Sequence, residues 1–214
     1  TLYINAADAE NLDFLATLPN LRRLAIVGWD PARTGPLPKG MRALKSLLLM
    51  ESAMLDAFTL AAMPEEIQEL SLLGHDEITS LSGLERFANL RTLILSMAGK
   101  VEGLSALKGM KKLVWVGLPS GITQEQFSAF IGEHPALKII ELIGCREITD
   151  LSPLQRLTGL TGLIVNPYPV KFAAMDQVDQ LKSLEFLGLP SEVFKSDPER
   201  LVRIRTGEEG TDAI

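Results

Sequence analysis

Apolar residues recur along this chain in one frame: an apolar residue, two variable residues, an apolar residue, one variable residue, and a third apolar residue. The frame reads Leu21, Leu24, Ile26, then Leu44, Leu47, Leu49, then Ile67, Leu70, Leu72 and Leu90, Leu93, Leu95. It continues as Met110, Leu113, Trp115, as Leu137, Ile140, Leu142, as Leu160, Leu163, Val165 and as Leu181, Leu184, Phe186, with Leu2 and Ile4 closing an earlier copy. The steps between first residues are 23, 23, 23, 20, 27, 23 and 21. The last two apolar residues of each frame stand two apart, so both side chains leave the same face of a short strand. Between frames, Leu81, Leu84, Phe87 and Leu90 form a run with a period of three, as do Leu104, Leu107 and Met110, and Leu151, Leu154, Leu157 and Leu160. That period predicts 3₁₀ turns or short helical pieces. The longest step leaves room for a true helix. Thr123-Gln124-Glu125-Gln126 reads as its capping box, Phe127, Phe130 and Ile131 as its buried face, and His134-Pro135 as its end, because the residue before proline avoids the helical region. A second helix is expected around Lys171 to Gln180.

A frame of this spacing, repeated at a period near the usual ~20–29 residues, is the core of a leucine-rich repeat. One coil buries too few side chains to offset the entropy of ordering it, so coils must stack. Stacking aligns the strands into a parallel sheet and the leucines into a continuous core. The expected fold is therefore an α/β leucine-rich-repeat solenoid: an arc with a parallel concave β-sheet and short 3₁₀/α segments on the convex side. Residues 1–205 would form about nine irregular coils, and the polar residues 206–214 a tail or linker. Leu201 and Ile204 read as a last, weak strand. Leu2, Tyr3 and Ile4 begin in mid-frame, so residues before Thr1 are expected to shield the first coil.

The stretches EITSLSGLERFANLRTLIL (Glu77 to Leu95) and EITDLSPLQRLTGLTGLIV (Glu147 to Val165) resemble bacterial leucine-rich repeats of the internalin-like type. LPKGMRALKSLLL and MPEEIQELSLL resemble the proline-opened repeats of some bacterial effectors. The resemblance implies a protein-binding module and points toward an exported, surface or effector protein. The residues themselves set no compartment. The position that usually carries a buried asparagine holds Trp29, Ser52, His75, Ala98, Leu118, Cys145, Tyr168 and Leu189. A regular asparagine ladder is absent, and the backbone groups it would satisfy need other partners.

In such a sheet the residue between the two inward positions, and the one just after them, point out of the concave face. These columns should be polar if solvated, yet they are largely aliphatic. The candidate binding residues are Val27, Leu48, Met50, Leu73, Ile94, Val114, Val116, Ile143, Ile164 and Leu187, with Lys112, Glu141 and Glu185 on a polar margin. Neighbouring strands lie about 4.8 Å apart, so these side chains form a contiguous patch of the kind that marks an interface. Three readings stay open. The face binds a foreign protein, it is covered by this chain or a second copy of it, or its valines and isoleucines reflect strand propensity alone. The recurring Gly28, Gly74, Gly117, Gly144 and Gly188 read as turns out of the strands.

Composition narrows the chemistry. A net charge of −6 with a pI of about 5.1 lacks the positive field that drives nucleic-acid binding. No apolar run exceeds the four residues of stretches such as Leu47 to Met50, far short of the ~18 residues of a membrane span. The single cysteine, Cys145, permits no internal disulfide. Only His75 and His134 offer an imidazole base, and several coils separate them, so no hydrolytic triad is expected. No C-x-x-C or H-E-x-x-H pattern occurs. Asp76, Glu77 and Asp150 lack the alternating acidic loop of a calcium site. The sequence thus predicts a non-catalytic protein-interaction scaffold without a cofactor or metal. Its partner would be a protein or a second copy. The alternatives are a self-associating structural protein using the same face and the accessory binding domain of a larger enzyme or effector.

Overall fold

A computed structural model describes residues 1–52, 63–73, 80–96, 98–99, 103–165 and 175–188. The strands are β1 (Leu2–Asn5), β2 (Arg23–Val27), β3 (Ser46–Met50), β4 (Glu69–Leu73), β5 (Thr92–Ile94), β6 (Trp115–Gly117), β7 (Ile139–Glu141), β8 (Gly162–Ile164) and β9 (Phe186–Gly188). They form one open parallel sheet in chain order, β1 to β9. Parallel neighbours joined by short return segments are what a right-handed stack of similar coils requires.

The coils are tied where strands β3 to β8 start. Two successive N–H groups donate to one carbonyl of the preceding coil. Lys45 and Ser46 donate to Arg22, Gln68 and Glu69 to Lys45, Arg91 and Thr92 to Gln68, and Val114 and Trp115 to Arg91. Lys138 and Ile139 donate to Val114, and Thr161 and Gly162 to Lys138. This ladder fixes the register and corrects two frames. Leu93 pairs with Val116 and Leu163 with Leu187. The first inward strand residues of those coils are therefore Val116 and Leu187, and Leu113 and Leu184, which the sequence reading put in that place, open the frames instead and are also buried. Met110, Leu113 and Val116, like Leu181, Leu184 and Leu187, are spaced by three, so the apolar pattern fits two alignments. With Leu113 and Leu184 opening the frames, every step becomes 23 or 24 residues.

The interior holds Leu24, Ile26, Leu47, Leu49, Leu70, Leu72, Leu93, Leu95, Val116, Leu118, Ile140, Leu142, Leu163, Val165 and Leu187 in two inward columns, all buried. Behind them lie the return segments. Those predicted from the period of three are 3₁₀ turns, at Leu84–Arg86, Leu104–Leu107 and Ser152–Arg156, with Leu84, Leu107 and Leu154 buried. Among the described residues the α-helical pieces are α1 (Pro31–Thr34), α2 (Gln124–Glu133) and α3 (Met175–Val178). Helix α2 carries the predicted capping box: Gln126 N–H donates to Thr123 Oγ1, and Thr123 N–H donates to Gln126 Oε1. Its buried face is Phe127, Phe130 and Ile131, as the sequence indicated. Of the second expected helix, residues 175–180 are described; Met175–Val178 form α3 and the last two are a turn. The expected strand at Leu201 and Ile204 and the tail 206–214 lie outside the described residues.

Other side chains take the place of the missing asparagine ladder. Gln124 Oε1 accepts from the N–H groups of Thr149 and Asp150 at 2.9 Å each, and its amide nitrogen donates to the Asp150 carbonyl at 2.9 Å. Gln177 Oε1 accepts from Leu151 N–H at 2.5 Å. Ser120 Oγ donates to the Ala98 carbonyl and Ser183 Oγ to the Leu160 carbonyl. Nearer the start of the chain, Arg33 donates to the carbonyls of Ala6 and Ala7. Each bond joins one coil to the next, which is the work a ladder would do.

The turn reading of the glycines holds at Gly28 and Gly144, where φ is 68° and 76° and a side chain would be strained. Gly117 and Gly188 lie within β6 and β9 instead, a consequence of the corrected register. Gly74 is outside the described residues.

Candidate binding face

The face of the sheet turned away from the core is built from alternate residues of each strand. On β2 to β4 it is as the sequence reading placed it. Val27, Met50 and Leu73 are register partners, and Leu48 lies between Ala25 and Ser71. All four predicted residues are half-buried and face outward, forming a continuous aliphatic stripe. Tyr3 on β1, 64% exposed, borders it.

On β5 to β9 the picture changes. Ile143 and Ile164 remain outward and half-buried, and Ile94 is outward but only 7% exposed. Val116, 0% exposed, and Leu187, 8% exposed, are core residues and leave the candidate face. Val114 and Glu185 stand at strand starts, Val114 half-buried and Glu185 exposed. Lys112 is exposed on the turn before β6, where Nζ donates to Asn89 Oδ1 at 2.6 Å. Glu141 is not marginal. It sits within the face, between Gly117 and Ile164 on the neighbouring strands, and is 8% exposed.

Glu141 is held by two donors. Trp115 Nε1 donates to Oε1 at 2.8 Å, and Ser96 Oγ donates to Oε2 at 3.0 Å. Ser96 follows β5 while Glu141 belongs to β7, so the second bond crosses the whole width of β6. Gly117 makes that crossing possible. A Cβ there would lie 2.4 Å from Ser96 Oγ and 3.2 Å from Glu141 Oε2. The same device recurs beside it. A Cβ on Gly162 would meet Ile139 Cγ1 at 3.2 Å, and one on Gly188 would meet Ile164 Cγ2 at 3.3 Å. Larger side chains thus lean into gaps left by glycines. Trp115 and Ile139, register partners on this face, were missed by the sequence reading for two reasons: the frame at Met110 turned Trp115 inward, and Ile139 stands before the first inward residue of its strand, a position that the two outward columns left out. A constant step of 23 or 24 residues was the signal that would have placed Trp115.

The groups singled out for chemistry are occupied by structure. His134 is buried, with Nδ1 2.9 Å from the Phe130 carbonyl oxygen and Nε2 2.9 Å from that of Leu107. Its ring is stacked on Phe130, 4.2 Å between centroids. Cys145 is buried against the Leu118 and Pro119 carbonyls, and burial pushes its thiol up to about 12. Such a thiol is a poor nucleophile and metal ligand. Asp150 accepts from Ser152 N–H, Ser152 Oγ and Gln177 Nε2, bonds that hold its carboxyl below the usual range. His75, Asp76 and Glu77 lie outside the described residues. On the loop side, a cleft of about 390 Å³ lined by Pro36, Lys39, Arg42, Glu65 and Arg86 contains an ion pair, Arg86 with Glu65 at 2.5 Å. No helix among the described residues is long and apolar enough to cross a membrane.

No protein-family model and no curated protein matches the sequence. Among solved structures, internalin C2 from Listeria monocytogenes is similar, with 18% identity and a TM-score of 0.54 over 85% of this chain and 76% of that one. The likeness is one of fold: this chain is an open leucine-rich-repeat solenoid with few helices.

Proposed function

We propose that this leucine-rich-repeat solenoid is a non-catalytic scaffold that binds a protein through the outer face of its sheet. The coarse reading rests on the fold, which typically serves as a non-enzymatic binding scaffold. The observation that carries the finer one is the stripe of Val27, Leu48, Met50 and Leu73, whose side chains point away from the core and keep part of their surface open. Outward aliphatic residues in register on three adjacent strands are only partly buried in the monomer and leave the rest of their apolar surface in water. That remaining surface contributes when a partner covers it, at roughly 25 cal/mol per Å² of apolar area. The chain's acidity, net −6, argues for a protein rather than a nucleic acid as that partner.

The test is selection of binders from a displayed protein library, followed by measurement of each on wild type and on a Met50→Asp/Leu73→Asp variant. Binders that lose at least a hundredfold in affinity on the variant, while its thermal melt is unchanged, support the reading. Binders indifferent to the pair place recognition elsewhere. Light scattering across a dilution series accompanies the selection. A wild-type dimer that becomes a folded monomer in the variant would make a second copy the partner.

A further inference from the structure

Among the described residues, Glu141 is the one ionisable side chain in the three outward rows of β5 to β9, and its surroundings there are Ile94, Ile139 and Ile164. Its two hydrogen bonds come from neutral donors, Trp115 Nε1 and Ser96 Oγ. Among the described residues Glu141 takes part in no ion pair, whereas Arg86 pairs with Glu65 and Lys108 with Glu133. A carboxylate this enclosed is costly unless it is both hydrogen-bonded and neutralised. Here the bonds are supplied, and among the described residues the opposite charge is not. Each carboxylate oxygen has spent one lone pair and keeps another. Trp115 adds an indole beside the charge, half-buried and fixed by its N–H bond.

We infer that this cluster receives an arginine side chain of the protein partner, a reading that rests on the face being the binding surface. Three features favour a guanidinium. Its paired N–H groups match an acceptor with one free lone pair on each oxygen. Its planar cation stacks on an indole face. Its aliphatic stem suits the isoleucines around the carboxylate. Gly117 is the enabling residue, because any side chain there would displace the serine that holds Glu141 in place.

The chain contains two tryptophans, and their indole N–H groups are separate reporters. Trp29 is buried and donates to Thr34 Oγ1 at 2.9 Å, far along the sheet, while Trp115 donates to Glu141. The experiment titrates ¹⁵N-labelled protein with acetyl-Leu-Arg-Leu-amide and with the same peptide carrying citrulline, which keeps the shape and removes the charge. The Trp115 indole peak is expected to move and saturate with the arginine peptide while that of Trp29 stays. The citrulline peptide is expected to bind at least tenfold more weakly, and the difference to vanish in Glu141→Gln. A still Trp115 peak at millimolar arginine peptide overturns the inference, as does equal binding of the two peptides. The wild-type comparison needs no variant, so a misfolded Glu141→Gln leaves the test intact. Equal binding that still shifts the backbone amides of Leu48 and Ile164 removes the arginine and keeps the face as a binding surface. Peptides that move only residues outside the sheet remove both.

Discussion

Strands β2 to β4 run for five residues each, whereas β5 to β9 run for three. In the first group the ladder continues past the second inward residue, so Val27, Met50 and Leu73 are paired strand residues. In the second group the chain turns away sooner. Pro119 follows Leu118 and has no N–H to offer a further rung. The outer faces differ in the same sense. Over β2 to β4, like sits beside like and leaves an open aliphatic stripe. Over β5 to β9, Gly117, Gly162 and Gly188 alternate with Ile94, Ile139, Glu141 and Ile164, and the larger side chains fold into the gaps. One repeat frame thus yields an adaptable apolar surface at one end and a pre-packed surface with a fixed charge at the other.

The comparison breaks most visibly if the two ends respond alike to a charge. Val116→Asp buries an uncompensated carboxylate in the core and is expected to cost roughly 3–5 kcal/mol. Met50→Asp, on the open stripe, should stay within about 1 kcal/mol. Chemical denaturation of both decides the matter, and equal losses would return Val116 to the surface. A smaller contrast lies within one outward column. Gly117→Ala drives a methyl into Ser96 and Glu141 and is expected to cost about 1–3 kcal/mol. Ser71→Ala, two strands earlier, should be nearly neutral. Urea midpoints measure both, and the indole shift of Trp115 should change in Gly117→Ala alone.

The convex side offers a third contrast. Thr123→Ala removes the capping box of the ten-residue α2 and should cost about 1 kcal/mol. Asp30→Ala, which caps only the four residues of α1 through Ala32 N–H, should cost less, as paired thermal melts would show. The smallest expected effect is chemical. Cys145 should resist thiol reagents at pH 8 in the folded chain and react once the chain is unfolded. The unfolded thiol loses its proton near 9.0 and the folded one near about 12. Stability from this group is therefore full below the first value and falls as pH rises through the second. Rapid labelling of native protein at pH 8 would contradict the burial.

The architecture was legible because it follows from spacing. Leucines at a fixed period, with two of every three separated by one residue, leave the stacked coil as the only packing that buries them all. The capping box of α2 and the 3₁₀ turns were legible for the same reason, since their signals are local. The site was legible only in part. Val27, Leu48, Met50 and Leu73 stand where an unambiguous frame put them. Val116, Leu187 and Trp115 do not, because apolar residues spaced by three satisfy two registers equally well and only pairing with the neighbouring coil excludes one. The bond from Ser96 to Glu141 lies further still from the sequence. It joins residues 45 apart across a strand whose one glycine must fall between them. Periodicity sets which residues a strand turns inward. Which outward side chains meet over the next strand was decided by the stacking of whole coils, where a single missing Cβ opens or closes the path.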